Sequence, residues 1–144
     1  MKIAIVGSED KHWTHHQKAD AVLKIRELLD NISLHVGTIN MVMVSGGCPN
    51  GGVDIWAEAV ADSLDIKKEI HYPEVNQWDD KIEFDDSRIN PPEVEKGFKS
   101  RNIEIAESCD VLYSIDPVGR KWSGGIWTLK YASGIGKEVH QVLI

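Results

Sequence analysis

The residues of this 144-residue chain best suited to chemistry are glycines, clustered after an apolar run at residues 41–44. Glycine lacks a Cβ and tolerates positive φ, so backbone N–H groups can turn toward a bound anion. The helical pattern that follows would add unpaired N–H donors and the positive end of a helix dipole. The candidate binding residues here are Ser45, Gly46, Gly47, Gly51, Gly52 and Asp54. They predict a phosphate cradle, although an ordinary tight turn between strand and helix also uses glycine.

A second glycine loop repeats this layout between the apolar run 111–115 and a helical pattern at 126–133. Its candidate binding residues are Ser123, Gly124, Gly125 and Thr128, and the first apolar run, residues 2–6, ends in Gly7 and Ser8. In a doubly wound sheet, ligands bind at the carboxyl ends of the strands, near the point where the strand order reverses. We therefore expect these loops to converge, with their hydroxyl groups available to phosphate or ribose.

Two further side chains are candidates for ligand contacts. Arg101 lies near the start of a predicted helix at 98–108, and its planar guanidinium suits a bidentate contact to phosphate. The alternative is a solvated helix residue. Trp78 lies in an acidic, proline-containing segment at 73–97 and either stacks on a base or holds that segment against the core.

The elements that must position these residues alternate along the chain. Apolar runs predict strands at 2–6, 40–44, 66–71, 111–115 and 139–143, and helical periodicity predicts helices at 14–29, 53–64, 98–108 and 126–133. Thr14 is the expected N-cap of the first helix, and Asp30 and Asn31 its expected end. The alternation predicts an α/β fold, a Rossmann-like three-layer sandwich with a mainly parallel five-stranded sheet. Residues 1–144 form a single domain in this interpretation, with 73–97 as a long lid or contact loop.

Composition narrows the function classes. The formal net charge of −7 argues against a surface that follows a nucleic-acid backbone, while a small anionic ligand needs only local positive potential. Two cysteines, a short apolar N-terminal run and the lack of any membrane-length run favour a cytoplasmic protein without a membrane partner. His12, His15 and His16 cluster without companion ligands, so we expect no metal site and no resident cofactor.

Taken in order, these motifs resemble the SLOG superfamily of Rossmann-like proteins, which includes the LOG phosphoribohydrolases and the DNA-processing protein DprA. The resemblance is nearest to the YspA-like branch and spans nearly the whole chain. It is carried by Gly7-Ser8, Ser45-Gly46-Gly47, Gly52-Val53-Asp54, Trp78, Arg101-Asn102, Ser123-Gly124-Gly125 and Thr128. It implies a nucleotide, or a nucleotide-derived small molecule, held over both glycine loops, and an assembly into homo-oligomers.

The chain departs from the LOG pattern in the second glycine loop. LOG enzymes carry a glutamate where this chain has Tyr131, and that glutamate works with the arginine in cleaving an N-glycosidic bond. The leading hypothesis is therefore a binding module or sensor. The alternative is an N-glycosidase or phosphoribohydrolase acting on nucleoside monophosphates or related ribosides, with Glu58 or Asp54 replacing the lost carboxylate. Single-stranded nucleic-acid binding, as in DprA, is disfavoured by the acidic charge balance.

Overall fold

The computed structural model of the chain describes residues 1–79 and 96–144. The strands are β1 (Lys2–Gly7), β2 (Val42–Ser45), β3 (Lys67–Ile70), β4 (Val111–Asp116) and β5 (Glu138–Leu143). The helices are α1 (His15–Val36), α2 (Val53–Ser63), α3 (Phe98–Ser108) and α4 (Gly124–Gly134), with short 3-10 turns at Asp10–His12 and Thr38–Asn40. Most of the predicted lid, residues 73–97, lies outside the described residues.

The five strands of the described chain form one sheet in the order β3-β2-β1-β4-β5, and every pairing is parallel. Side chains alternate across the strands. Ile3 and Ile5 of β1 pack with α1 and α2 on one face, and Ala4 and Val6 pack with α3 and α4 on the other. The three-layer, Rossmann-like α/β fold predicted from the sequence is confirmed.

Helix α1 begins as predicted and ends later than predicted. Thr14 is its N-cap, and a reciprocal capping box joins Thr14 and Gln17 through bonds of 3.1 and 3.2 Å. The predicted end at Asp30 and Asn31 is wrong, because the helix continues to Val36. Its apolar spacing continues through Ile32 and Val36, which pack against the core, and the chain leaves the helix only at Gly37, where φ is +81°.

Helix α4 begins two residues earlier than the sequence pattern indicates. Gly124 and Gly125 form its first turn, and Ser123 is the N-cap, whose Oγ accepts a 3.0 Å hydrogen bond from the Ile126 N–H. The second glycine pair is therefore the start of a helix and not a free loop before it.

Candidate functional site

A cleft of about 230 Å³ lies at the carboxyl ends of β1 and β4. The chain runs from β1 outward to β3 on one side and from β4 to β5 on the other, so these two neighbouring strands form the switch point of the sheet. The cleft is lined by Val6, Gly7, Ser8, Glu9, His12, Cys48, Asp54, Trp78, Phe98, Arg101, Asn102, Arg120, Trp122, Ser123, Gly124 and Gly125.

Many of the predicted binding residues line this cleft. They are Gly7, Ser8, Asp54, Trp78, Arg101, Asn102, Ser123, Gly124 and Gly125. Six predicted residues do not line it, namely Ser45, Gly46, Gly47, Gly51, Gly52 and Thr128. Thr128 is buried within α4, where its hydroxyl donates to the Gly124 carbonyl at 2.6 Å. The cleft thus reaches the second glycine loop directly and the first mainly through Cys48 and Asp54.

Asp116, which the sequence analysis did not identify, joins the loops beneath the cleft. Its carboxylate is fully buried at the end of β4. Oδ1 accepts hydrogen bonds from Ser8 Oγ at 2.6 Å and Ser123 Oγ at 2.7 Å, and Oδ2 accepts one from Ser114 Oγ at 2.8 Å. The hydroxyls of Ser8 and Ser123 are therefore used within the chain. A carboxylate at the last position of a buried strand next to the switch point is the sequence feature from which this structural role could have been predicted.

Gly7 and Gly125 allow β1 and α4 to approach closely. A Cβ on Gly125 would lie 2.7 Å from the Gly7 Cα and 2.9 Å from Ser114 Oγ, so no side chain fits there. Gly124 differs, because a Cβ on it would be 3.4 Å from Asn102 Nδ2 and 3.6 Å from Trp78 Cζ3. In this pair, Gly125 is required by backbone packing and Gly124 borders the open cleft.

The first glycine loop packs closely against the segment that follows β1. Gly52 adopts a φ of +91°, and a Cβ there would overlap the carbonyl oxygen of Ser8. Ser45 is fully buried, and its hydroxyl donates to Glu58 Oε2 at 2.6 Å. Glu58 is thus bound to the end of β2 and does not line the cleft.

Arg101 and Asp54 form a buried charged pair on one wall of the cleft. Arg101 Nη1 lies 3.9 Å from Asp54 Oδ2 and donates to the Gly46 carbonyl, while Nε donates to Asn102 Oδ1 at 2.7 Å. Burial raises the pKa of Asp54 to about 6, against the lowering effect of Arg101, and nearby Glu58 raises it further. The cleft thus holds a carboxyl group that can gain or lose a proton near neutral pH.

An aromatic cluster borders the cleft through Trp78 and Trp122. Trp78 meets Trp122 and Trp127 edge to face, each at 5.2 Å between ring centroids, and Trp127 stacks on Tyr131 at 5.4 Å. Asp79 holds this part of the chain against α3, since its Oδ1 accepts the Ser100 N–H at 3.1 Å. Trp78 is anchored in this way while its ring also lines the cleft, and Trp122, which the sequence analysis missed, is half exposed beside it.

Arg120 and His12 complete the cleft, and neither was predicted as a binding residue. One Nη of Arg120 lies 2.9 Å from His12 Nε2. Burial, followed by the charges of Arg120 and Lys11, lowers the pKa of His12, so the ring is neutral at pH 7 and its Nε2 accepts from Arg120. Arg120 lies between β4 and α4 without any periodic pattern, which is why sequence periodicity did not reveal it.

Neither a metal cluster nor a membrane helix is found in the part of the chain that the structure describes. No group of three or more His, Cys, Asp or Glu side chains there could hold a metal ion, and of the three clustered histidines only His12 reaches the cleft. Among residues 1–79 and 96–144, no helix has the length and apolar character needed to cross a bilayer.

Comparison with known proteins supports the fold. No protein-family model matches the chain, and no curated protein sequence matches it significantly. Among solved structures, the molybdenum cofactor carrier protein MCP from Chlamydomonas reinhardtii is 18% identical with a TM-score of 0.59, over 97% of this chain and 75% of that chain. DNA processing protein A (DprA) from Streptococcus pneumoniae is 14% identical with a TM-score of 0.48, over 98% of this chain and 58% of that one. The likeness to the carrier protein is one of fold.

Proposed function

We propose that this chain is a SLOG-type binding module or sensor, which holds a nucleotide or a nucleotide-derived small molecule in the cleft. The observation that carries this proposal is the position of the cleft. It lies at the switch point of a parallel sheet, where this class of fold binds its ligands. Aromatic rings and arginine side chains surround that one space, as the base and the phosphate of a nucleotide require.

The parts of the cleft suit different parts of such a ligand. Trp78 and Trp122 offer aromatic surface to a base. The N–H groups of Gly124 and Gly125 lie in the first turn of α4, so they have no acceptor within the helix. The volume of about 230 Å³ is below the ~300–1,000 Å³ typical of pockets that enclose drug-sized ligands. We therefore expect one nucleoside moiety to be enclosed and any larger remainder to project from the mouth.

The likeness to the molybdenum cofactor carrier protein is compatible with small-molecule binding by this fold. That protein is described as a molybdenum cofactor carrier, and its fold is similar to that of this chain. Our proposal transfers only the general role, a small molecule held at this fold, and the nucleotide character of the ligand rests on the cleft and on the SLOG-like motifs.

A thermal-shift panel tests the proposal. Purified protein, first shown to be free of bound small molecules, is heated with nucleosides, nucleoside mono- and diphosphates, cyclic dinucleotides and ADP-ribose. A ligand at a hundred times its Kd adds about 2.7 kcal/mol to stability, which raises the Tm of a domain of this size by several degrees. The same ligand should fail to shift Gly124→Phe, in which a ring fills the cleft. A panel with no shift would contradict the proposal.

One observation favours the enzymatic alternative, an N-glycosidase. Asp54 lines the cleft with a pKa of about 6, so a fraction of the molecules carry a protonated carboxyl group there at neutral pH. In glycoside hydrolysis the C1′–N bond breaks as water adds to C1′, and the departing base takes up a proton. Protonated Asp54 could supply that proton. Glu58, the other candidate, is bound to Ser45 outside the cleft.

Release of free base decides between binding and cleavage. Nucleoside 5′-monophosphates are incubated with the protein at pH 6, and the free base is separated by chromatography. If the protein is an N-glycosidase, Asp54→Asn should abolish release and retain binding, while Glu58→Gln should reduce release far less. Release that survives Asp54→Asn would remove Asp54 from the reaction.

A further inference from the structure

The two arginines of the cleft differ in what their donors already bind. Arg101 is only 4% exposed and gives Nε to Asn102 and Nη1 to the Gly46 carbonyl, with Asp54 3.9 Å away. A phosphate could engage these atoms of Arg101 only by replacing bonds that hold the first glycine loop. Arg101 is therefore better suited to building the wall of the cleft than to closing on an anion.

Arg120 is in the opposite situation. Within residues 1–79 and 96–144, its guanidinium contacts one acceptor, the neutral imidazole of His12, and no carboxylate oxygen lies within ion-pair distance. Its Nε is buried and has no hydrogen-bond partner among those residues. A buried donor without a partner costs free energy, and a missing ion or ligand is one of the usual reasons for it.

From this contrast we infer that Arg120, oriented by His12, binds the terminal phosphoryl group of the ligand. This inference rests on the proposed function, which it refines by placing the anion beside Arg120. A guanidinium presents several N–H donors in a fixed plane, so Arg120 can hold His12 through one Nη and a phosphate through the N–H groups of its other Nη. The first turn of α4, which lines the same cleft, adds N–H donors toward the same group.

His12 acts here as a positioning residue. Its Nε2 accepts from one Nη of Arg120 at 2.9 Å without a negative charge, so this hydrogen-bond partner does not neutralise the guanidinium. A carboxylate at this position would neutralise Arg120 and repel phosphate. Three other charged groups influence His12, namely Glu9, Lys11 and Arg120 itself, and Glu9 also lines the cleft while its Oε1 accepts from Asn50 at 3.3 Å.

The test compares each nucleoside with its own 5′-monophosphate. The affinities of adenosine, AMP, guanosine, GMP, cytidine, CMP, uridine and UMP are measured by calorimetry on wild type, Arg120→Gln and Arg120→Lys. Arg26→Gln is the matched control, because Arg26 is exposed on α1, bonds Ser63 at 3.0 Å and gives the same change in net charge. Inorganic phosphate, followed by ³¹P line broadening, provides a second arm that needs no base.

We expect wild type to prefer the monophosphate by about ten- to a hundredfold, the size of a charge-assisted contact. Arg120→Gln should bring that ratio near one, because it lowers the affinity for the monophosphate far more than the affinity for the nucleoside. Arg120→Lys should restore part of the ratio, and Arg26→Gln should retain it. For His12, Gln keeps an acceptor at a similar reach, so His12→Gln should preserve the preference and His12→Leu should lower it.

The outcomes separate this inference from the proposed function. A monophosphate preference that persists in Arg120→Gln overturns the inference and leaves nucleotide binding standing, as does equal affinity of wild type for both members of each pair. If wild type binds no nucleoside or nucleotide, the proposed function fails. The experiment with inorganic phosphate then decides whether Arg120 binds a phosphate group. Broadening lost in Arg120→Gln and kept in Arg26→Gln supports the assignment of Arg120, and absence of broadening in wild type overturns it. Should Arg120→Gln not fold, Arg120→Lys and His12→Leu give the same comparison.

Discussion

Ser8 Oγ donates a 2.6 Å hydrogen bond to Asp116 Oδ1, which joins the end of β1 to the end of β4 across 108 positions of sequence. The same oxygen accepts from Ser123 Oγ, the N-cap of α4. One carboxylate therefore fixes the segment that follows β1 and the N-terminus of α4 against the end of β4. Asp116 does not itself line the cleft, but it holds Ser8 and Ser123, which do.

Asp116 should accordingly be important for stability. In Asp116→Ala, three buried hydroxyls lose their acceptor, at about 1–3 kcal/mol for each group left unsatisfied. We expect the free energy of unfolding in urea to fall by at least about 3 kcal/mol. Asp116→Asn keeps one acceptor oxygen and should cost about half as much. Asp62→Ala, which removes an exposed ion pair with Lys68, is the control and should cost under about 1 kcal/mol. If Asp116→Ala and Asp62→Ala lowered the free energy of unfolding equally, the structural role of Asp116 would be contradicted.

Local periodicity was sufficient to predict most of the fold. The buried run of β1 and the spacing of Ala21, Ile25 and Leu29 in α1 are determined by which face meets the core, and that information is local. The end of α1 was predicted wrongly because aspartate and asparagine, here Asp30 and Asn31, favour the ends of helices. In this chain the packing of Ile32 and Val36 against the core outweighs that preference.

The sequence predicted which segments meet at the cleft, but it did not predict the hydrogen-bond partners of their side chains. The serines were expected to offer hydroxyls to a ligand, yet Ser8 and Ser123 give theirs to Asp116. Which partner a buried hydroxyl takes depends on residues far away in sequence, so no local pattern reveals it. Arg120 and Trp122 were missed for a similar reason, since they lie between β4 and α4, where no periodicity marks a residue as facing inward.

The two ends of α4 offer a matched pair of substitutions. Gly124 borders the cleft, whereas a Cβ added to Gly134 would meet open space, with nothing to contact within 4 Å among the described residues. Neither has a positive φ, so both Gly124→Ala and Gly134→Ala should fold, with stability changes within about 1 kcal/mol. Only Gly124→Ala places a methyl group beside Trp78 and Asn102. It should weaken binding of the best ligand from the thermal-shift panel, and equal affinities of the two variants would contradict the placement of the ligand.

The raised pKa of Asp54 makes stability depend on pH. The folded chain keeps this proton up to about pH 6, while the unfolded chain loses it near pH 3.8, so the folded state binds more protons between these values. Stability from this group is therefore present at low pH and is lost as pH rises through 6. Between pH 5 and pH 7 we expect wild type to lose about 1 kcal/mol relative to Asp54→Asn.

Urea unfolding of both proteins at pH 5, 6 and 7 measures this difference. His12, whose pKa is lowered, acts in the opposite direction, because its contribution is lost as pH falls, but it is common to both proteins and cancels. A wild-type and variant pair whose difference stays constant over this range would show that Asp54 titrates normally.

Arg101 and Asp54 should be energetically coupled, because their charged groups lie close together in a buried site. Arg101→Met removes the guanidinium that lies 3.9 Å from a buried carboxylate, and it leaves the Gly46 carbonyl without its donor. Because breaking a buried charge pair from one side leaves the other charge uncompensated, we expect a loss of about 3–5 kcal/mol in the free energy of unfolding. The double variant Arg101→Met/Asp54→Asn removes both charges, so it should be more stable than the sum of the single effects by about 1–3 kcal/mol. Urea unfolding of the four proteins at pH 7.5, where Asp54 is ionised, gives this coupling directly. Additive effects would mean that Arg101 stabilises the first glycine loop only through its hydrogen bond to Gly46. They would also mean that burial, and not Arg101, determines the pKa of Asp54.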